Sequence, residues 1–376
     1  MIPFPTAAAI EEFDEKVVGS TLPLHLILIA VRFCIQAATS LRAASIATAI
    51  ANDIFGPQHP LPGDAIGLSH NSVQNMILRI GLHEITRSKE FVSDRIWIVD
   101  HTISIGTTKC FLVLGIRQEH FRQLCRPLEH QDMHVLALIP VEQSNGEIVH
   151  SQFKELAETF GVPKCILSDH GSDLKKGSEL FLREHPDVLI CYDIVHAVSR
   201  MMQRILSRDE RWDDYRKACC QCANLTRQSG MSHLKPPKPK TKARYMNVDP
   251  EIDWGVKVLR LLHRTRRGSL DANQQQELPL KKMEERFGWL DEYVRPLALW
   301  WLLCKICQTA CSVVRHHGYS KRLGEQMRAA IAVPKNETAA DLVNAIYEFS
   351  DGVAGHFDHE DVVPGSSEII ESMIGN

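Results

Sequence analysis

The sequence predicts an α/β protein in which a mixed β-sheet flanked by helices follows a helical unit and precedes further helices. Short β-rich runs begin near residue 94, and amphipathic helices alternate with apolar strands from about residue 146. Apolar segments with helical periodicity lie on both sides of this region. With 376 residues, 44% of them hydrophobic and 24% charged, the chain is long enough for one sizeable core and two or three folded units.

Residues 23–88 predict three helices, LPLHLILIAVRFCIQAATS, LRAASIATAIANDIFG and SHNSVQNMILRIGLHEI. Ser69 is expected to cap the third helix, with Val73, Met76, Ile77 and Ile80 on one face. A polar-faced helix after a spacer is typical of a helix-turn-helix, although this proline-containing spacer is longer than the usual turn and a plain helical bundle is the alternative. The side chains expected to face DNA are Asn71, Ser72, Gln74, Asn75 and Arg79.

The middle of the chain predicts the element order β-β-β-α-β-α-β-α. Three strands, DRIWIVDHTISIG, TKCFLVLGIRQ and MHVLALIPVEQ, are followed by the helix GEIVHSQFKELAETF, which should stop at Gly161-Val162-Pro163. The strands KCILSD and DVLICYD then alternate with helices. Three antiparallel strands followed by this alternation predict a mixed sheet with helices on both faces.

Aspartates stand at the ends of three predicted strands, at positions 100, 169 and 193. Strand ends at a switch point of an open sheet share a crevice, so these carboxylates are expected to converge. Facing carboxylates repel each other unless a cation lies between them, and oxygen ligands suit Mg²⁺ or Mn²⁺. Two such ions can support an in-line phosphoryl displacement. Asp173 is expected instead to cap the helix that starts at Leu174.

This element order and the motifs IWIVDHT, ILSDHGSDLKKG and YDIVH resemble the RNase H-like catalytic domain of DDE/D-type transposases, of bacterial insertion-sequence type, and of retroviral-type integrases. The resemblance covers residues 94–200, and residues 23–88 fit the N-terminal helix-turn-helix that such proteins often carry. It implies that Asp100 and Asp169 are catalytic metal ligands for two Mg²⁺ (or Mn²⁺) ions. It also implies supporting roles for Asp193, His196 and His170.

The family places a third catalytic acid after a helical insertion. Glu325 is the first candidate for a metal ligand there, because Tyr319-x-x-Arg322-x-x-Glu325 is similar to the Tyr/Arg/Glu helix of one insertion-sequence class. The spacing differs from that class by one residue, and Glu292 is the alternative. A third alignment puts the acid within QTACSVVRHH, which contains none, and on that alignment the protein is inactive.

The charge distribution is uneven, although the formal net charge is only −3. It is compatible with a polyanionic partner, and a solvated helical face with a proline-rich loop is the alternative. Basic residues are dense between positions 200 and 267 and include the DNA-contact candidates Lys238, Lys240, Lys242 and Arg244. Trp212, Tyr215 and Tyr245 lie beside bases and either stack on exposed bases or pack in the core. The resemblance implies DNA partners, namely transposon ends and target, and a homo-oligomer on DNA.

The function that follows is that of an Mg-dependent transposase that cleaves DNA and transfers strands. An inactive DNA-binding regulator and a metal-dependent nuclease are the alternatives. The N-terminus lacks a signal peptide and the long apolar runs are interrupted by charges, so we expect no membrane partner and a cytoplasmic protein, nucleoid-associated when bound to DNA. The 11 scattered cysteines, including Cys304, Cys307 and Cys311 on one helical face, are expected to pack in the core rather than bind zinc.

The predicted domain organisation has six parts. They are a lead (1–22), a helix-turn-helix-like DNA-binding domain (23–90), an RNase H-like catalytic core (91–200), a basic helical insertion (201–280), a helical region completing the catalytic domain (281–345) and an acidic, flexible tail (346–376).

Overall fold

The computed structural model describes residues 24–55, 68–105, 108–124, 126–239, 248–269 and 278–374. The chain forms two compact units, residues 1–90 and residues 91–376.

The described part of the first unit is helical. Its helices are α1 (Leu24–Ile35), α2 (Leu41–Phe55) and α3 (His70–Thr86). The predicted cap is confirmed, because the Ser69 hydroxyl accepts a hydrogen bond from the Ser72 N–H at 3.1 Å. Val73 is fully buried in a small core with residues of α1 and α2, but Ile80 is 42% exposed. The predicted apolar face is therefore buried only in the first half of α3, where it contacts that core, and Ile80 lies beyond it.

Five strands of the described chain form one mixed sheet in the second unit. They are β1 (Arg95–Ile105), β2 (Thr108–Arg117), β3 (His134–Val141), β4 (Cys165–Ser168) and β5 (Leu189–Tyr192). Their order across the sheet is β3-β2-β1-β4-β5. The first three strands pair antiparallel, whereas β4 pairs in parallel with both β1 and β5. The predicted mixed sheet is confirmed.

Strand β1 lies at the centre of the sheet and is buried on both faces. Ile96 and Ile98 point into the larger hydrophobic core, whereas Trp97 and Val99 point into a smaller core on the opposite face. Successive side chains of a strand alternate between faces, so a strand covered on both sides needs a continuous apolar run. The sequence IWIV satisfies that need and ends at Asp100.

Helices cover both faces of the sheet, as predicted. The elements next to it are α4 (Gln118–Gln123), α5 (Gly146–Phe160), α6 (Ser172–Glu184) and α7 (Ile194–Leu206). Phe153 of α5 and Phe181 of α6 fill the smaller core, and Ile194 of α7 joins the larger one. Helix α5 stops at Gly161, whose positive φ of 91° an L side chain rarely adopts.

The larger core continues into a helical region. Its helices are α8 (Glu210–Thr226), α9 (Asp249–Arg266), α10 (Leu280–Phe287), α11 (Val294–His317), α12 (Leu323–Ala330) and α13 (Glu337–Ala354). Trp212 and Tyr215 are almost fully buried there, and Trp212 packs edge-on against Trp300 at 5.0 Å. These two aromatic rings therefore belong to the core and do not form a surface for bases.

One described stretch, Leu280–His317, is long and apolar enough to cross a membrane by length and composition alone. Half of its apolar window is buried inside the protein. Its residues Leu297, Trp300 and Leu303 are fully or almost fully buried in the larger core, and α11 packs against α7, α9 and α13. The sequence-based interpretation of this run as a buried helix agrees with these contacts.

The C-terminal residues fold onto the sheet unit, in place of the flexible tail expected for residues 346–376. After α13, the short strand β7 (Val362–Val363) pairs antiparallel with β6 (Tyr319–Ser320), and α14 (Glu368–Ile374) follows. Phe357, Val363 and Ile370 are buried in the larger core. This apolar burial outweighs the acidic composition from which a tail was inferred.

Candidate strand-end carboxylate site

Two carboxylates follow the last paired residues of the two central parallel strands. The pairing of β1 with β4 ends at Val99 opposite Ser168. Asp100 and Asp169 are the next residues along the chain, so both carboxylates leave this ladder at the same edge of the sheet. The sequence predicts that these two aspartates converge, but it places Asp100 at the end of β1. In the structure β1 continues to Ile105, and Asp100 is paired with Leu112 of β2.

The environment of Asp100 disfavours its charged form. Burial of the side chain, followed by the charge of Asp169, raises the pKa of Asp100 to about 6. Glu371 raises that pKa further, whereas His196 lowers it. The arrangement thus concentrates negative charge in a half-buried place where a cation would relieve repulsion.

The turn after β4 fixes the backbone around Asp169. One carboxylate oxygen of Asp169 accepts a hydrogen bond from the Gly171 N–H at 2.8 Å. His170 between them adopts a positive φ of 54°, and its ring stacks on Tyr192 with centroids 4.7 Å apart. Such a backbone costs a non-glycine residue about 1–2 kcal/mol and persists where neighbouring contacts impose it. His170 thus shapes the turn that carries Asp169.

Asp173 is not the cap of the following helix, in contrast to the sequence prediction. Helix α6 begins at Ser172, and the extended residue before it is Gly171. The sharp turn at His170 lets the chain enter the helix earlier than its polar residues suggest. Asp173 therefore lies in the first helical turn, where its Oδ1 accepts a hydrogen bond from the Leu174 N–H at 2.9 Å.

Asp193 is buried, with 1% of its surface exposed, and its carboxylate is engaged by several donors. It caps α7 by accepting a hydrogen bond from the His196 N–H at 2.9 Å. Its other oxygen accepts hydrogen bonds from both the Ser367 N–H and the Ser367 hydroxyl. The Ile194 N–H also donates to the Gly365 carbonyl. Asp193 thereby joins α7 to residues 361–367, which we call the C-terminal strap.

The structure brings an acid to Asp100 that the sequence analysis missed. Glu371 lies on α14, which packs on β1, and its charge raises the pKa of Asp100. Glu368 on the same helix is already paired with the Arg315 guanidinium at 2.5 and 2.6 Å. The sequence held one weak indication that this segment folds onto the sheet unit, although the segment was assigned to a tail. The apolar pair Ile369-Ile370, which is buried, stands between polar residues in SSEIIES.

The two acids that the sequence singled out for the third position lie elsewhere in the helical region. Glu325 is in the first turn of α12, where its side chain is 81% exposed and lies 3.9 Å from Arg322. Glu292 is exposed in the 3₁₀ turn Gly288–Tyr293 that precedes α11. Both remain predictions of the sequence.

The donor set at the strand ends suits a hard divalent cation. Asp100 and Asp169 supply carboxylate oxygens only, and their mutual repulsion favours a positive ion between them. Within the described ranges, no group of three or more His, Cys, Asp or Glu side chains is arranged to hold a metal ion. The structure thus brings two carboxylates together, with Glu371 exposed on the adjacent helix. The cysteines of the same ranges are all free thiols.

The predicted DNA-contact residues are partly accessible. On α3, Asn71, Gln74, Asn75 and Arg79 are exposed, whereas Ser72 is half-buried. Lys238 is exposed as well. Lys240, Lys242, Arg244 and Tyr245 lie outside the described residues.

No family model and no curated protein sequence matches the chain. A solved structure, the Drosophila P element transposase strand transfer complex, is similar to it at 12% sequence identity and a TM-score of 0.40. That similarity covers 98% of this chain and 91% of the other. This distant similarity assigns no activity to the chain.

Proposed function

We propose that this chain is a transposase-type polynucleotidyl transferase with an RNase H-like catalytic domain, which cleaves DNA and joins the ends to a target. The single observation that carries the proposal is the pair Asp100 and Asp169. Asp100 lies in β1 directly after the last residue that pairs with β4, and Asp169 directly follows β4. The charge of Asp169 raises the pKa of Asp100. The strand order β3-β2-β1-β4-β5, with three antiparallel strands first along the chain, supports the RNase H-like assignment.

Asp100 and Asp169 would hold Mg²⁺ or Mn²⁺, with Glu371 as the third carboxylate in preference to Glu325. Glu371 is favoured because its charge acts on Asp100, and because α14 packs on the strand that carries Asp100. Cations bound there would lower the pKa of an attacking water or 3′-hydroxyl and stabilise the leaving oxygen of the phosphodiester. Two bound ions are part of the proposal.

The other residues of the chain orient these carboxylates. Asp193 accepts hydrogen bonds from Ser367 and so fixes the strap from which α14 extends. The His196 backbone N–H donates to Asp193, while the charge of His196 lowers the pKa of Asp100 and favours its ionised, ligating form. The turn at His170 sets the direction of Asp169 through the Gly171 hydrogen bond.

DNA is the proposed substrate, and α3 of the first unit is proposed to contribute to its binding. Exposed Asn75 and Arg79 offer an amide and a guanidinium on one helix, the groups that read base edges and neutralise phosphates. A homo-oligomer on DNA belongs to the same proposal. Light scattering of the chain with and without a duplex would test it.

The experiment is a cleavage and strand-joining assay on the full chain. Labelled duplexes covering the DNA that flanks the gene are incubated with Mg²⁺, Mn²⁺ or Ca²⁺, and cut and joined products are separated on denaturing gels. We expect Asp100→Asn and Asp169→Asn to lose cleavage by at least about 100-fold while retaining DNA binding. Asp187→Asn, an exposed acid between α6 and β5, is the matched control.

Full activity of both site variants would overturn the assignment. Metal-dependent cutting without joined product would favour a nuclease of the same fold. Salt-sensitive, sequence-specific DNA binding with no cleavage by the wild-type protein would favour a non-catalytic regulator.

A further inference from the structure

Three polar side chains from three separate segments meet next to the strand-end site. They are His101 on β1, Ser144 in the loop between β3 and α5, and Asp173 in the first turn of α6. His101 Nε2 lies 3.2 Å from the Ser144 hydroxyl oxygen, and His101 Nδ1 lies 3.4 Å from Asp173 Oδ2. The Ser144 hydroxyl also lowers the pKa of the Asp173 carboxyl. We call these residues the His101 cluster.

The His101 cluster is largely withdrawn from solvent. The His101 side chain is 9% exposed and its ring packs 5.4 Å from that of Phe111, while the Asp173 side chain is 18% exposed. His101 Nδ1 makes no hydrogen bond of regular geometry within the described residues, so its contact with Asp173 is electrostatic. A buried imidazole edge is costly without a polar partner, and here the carboxylate of α6 supplies one.

The cluster joins the two backbone segments that carry the site carboxylates. His101 directly follows Asp100, and side chains alternate along a strand, so the two point to opposite faces of the sheet. Asp173 lies just past the turn in which the Gly171 N–H holds Asp169. The backbone pairing of β1 with β4 ends at Val99 and Ser168, the residues just before the two carboxylates. Beyond that point, the side chains of the cluster tie β1 to the start of α6.

Holding these segments together opposes a known force. Asp100 and Asp169 directly follow the last residues that pair β1 with β4, and two neighbouring ionised carboxylates repel each other. Without a contact on the opposite face, the segments that carry Asp100 and Asp169 would move apart. The two carboxylates would then have to be brought back together when a cation binds. Residues behind metal ligands that fix their orientation typically change metal affinity by about 10–100-fold.

We propose that His101, Ser144 and Asp173 are positioning residues that hold Asp100 and Asp169 at the separation needed to share a divalent cation. This inference rests on the proposed cation site and names the residues that preorganise it. The cluster touches neither the cation nor DNA. It acts through the backbone of β1 and of the turn before α6.

The test measures cation binding directly, apart from activity. Mn²⁺ is titrated into the full-length protein and the free ion is followed by electron paramagnetic resonance, for wild type, Asp173→Asn, Ser144→Ala and Ser144→Thr. We expect about 10-fold weaker Mn²⁺ affinity for Asp173→Asn and Ser144→Ala, with recovery in Ser144→Thr, which restores the hydroxyl. In cleavage assays the half-saturating Mg²⁺ concentration should rise by a similar factor, with a smaller change in rate at saturation.

The matched control is His150→Gln. His150 on α5 lies 3.0 Å from the Glu184 carboxylate of α6, so it is another half-buried histidine–carboxylate contact between neighbouring segments. We expect it to lower the Tm without weakening Mn²⁺ binding. Unchanged Mn²⁺ affinity in folded Asp173→Asn and Ser144→Ala overturns the inference, as does equal weakening in His150→Gln.

The remaining outcomes are also decisive. If Asp173→Asn fails to fold, the pair Ser144→Ala and Ser144→Thr decides by itself. A wild-type protein that binds no Mn²⁺ overturns the inference together with the cation site. In the last outcome the wild-type protein binds Mn²⁺, the cluster variants bind it more weakly, and no protein cleaves DNA. This outcome supports the inference and overturns only the proposed function.

Discussion

Asp100 lies close enough to Asp169 that the negative charge of Asp169 raises the pKa of the Asp100 carboxyl. The two residues belong to different strands and meet because parallel pairing of β1 with β4 brings their ends to one edge. An arrangement that burial and repulsion both oppose has an energetic cost in the cation-free protein. Predictions about stability, chemistry and DNA binding follow from this site and its surroundings.

Replacing Asp100 by asparagine should stabilise the cation-free protein at neutral pH. The pKa of Asp100 is raised from 3.8 to about 6 by burial and by Asp169, so the ionised carboxylate destabilises the fold above about pH 6. Below pH 3.8 the group is protonated in both folded and unfolded states, and that cost disappears. We expect Asp100→Asn to gain up to about 3 kcal/mol at pH 8 and progressively less as the pH falls.

Urea unfolding in EDTA across pH 4–8 measures this effect. Asp187→Asn, whose side chain is exposed, serves as the control and should change the free energy of unfolding little. A stability gain of Asp100→Asn that is constant with pH would show that the carboxylate is not the cause.

The third carboxylate can be identified by comparing two glutamates. Glu371→Gln should lower metal-dependent cleavage by at least about 100-fold, because its charge acts on Asp100 and amide oxygens are poorer cation ligands. Glu325→Gln should change the rate less than about 3-fold, since that side chain is 81% exposed beside Arg322. Single-turnover cleavage with DNA binding measured in parallel tests both variants. If Glu325→Gln lowered cleavage more than Glu371→Gln, Glu325 would be the third carboxylate.

Breaking the contact between Asp193 and the C-terminal strap should weaken the fold and the site together. Ser367→Ala removes a hydroxyl that donates to the buried Asp193 carboxylate at 2.9 Å. We expect a loss of about 1–3 kcal/mol in the free energy of unfolding, because a buried charged acceptor loses a partner. Cleavage should fall as well, since α14 follows the strap. Ser232→Ala, at an exposed position, is the control, and equal stability of the two variants would contradict this account.

Two glycines with similar backbone angles should tolerate alanine differently. Gly268 has a φ of 62°, and no atom of the described residues lies near the place of a Cβ. Gly318 has a φ of 67°, and the Val363 carbonyl and the Phe121 ring occupy that place. Gly268→Ala should cost about 1 kcal/mol from backbone strain alone. Gly318→Ala should cost at least about 3 kcal/mol, because β6 and β7 must also separate. Denaturant midpoints of both variants test this difference in the free energy of unfolding. The two variants would lose equal stability if β7 did not pack against Gly318.

Arg79→Ala should weaken DNA binding in a salt-dependent way. Arg79 is exposed on α3, so loss of one phosphate contact should reduce affinity and lower the slope of log K against log salt by about 1. Arg42→Ala, an exposed arginine on α2, is the matched control. Fluorescence anisotropy with a labelled duplex at several salt concentrations gives both quantities. If both variants changed the DNA affinity and the salt slope equally, α3 would not hold the DNA contact.

Local sequence patterns were sufficient for the elements around the site. The run DRIWIVDHTISIG predicted the strand β1, and the stop of helix α5 at Gly161 was placed correctly. The apolar runs that end at Asp100 and Asp169 indicated these two aspartates. Such features depend on a few neighbouring residues, on side-chain alternation and on backbone freedom. They therefore appear in the sequence itself.

Only the tertiary structure decided which distant groups join Asp100 and Asp169. The charge of Glu371 acts on Asp100 because apolar residues such as Phe357 and Ile370 bury the C-terminal segment, although its composition is acidic. The contact of His101 with Asp173 likewise depends on how β1 and α6 pack. No local pattern encodes these pairings, because burial energy summed over the whole core selects them. The sequence alone indicated Asp100 and Asp169, and the packing of the chain determined their surroundings.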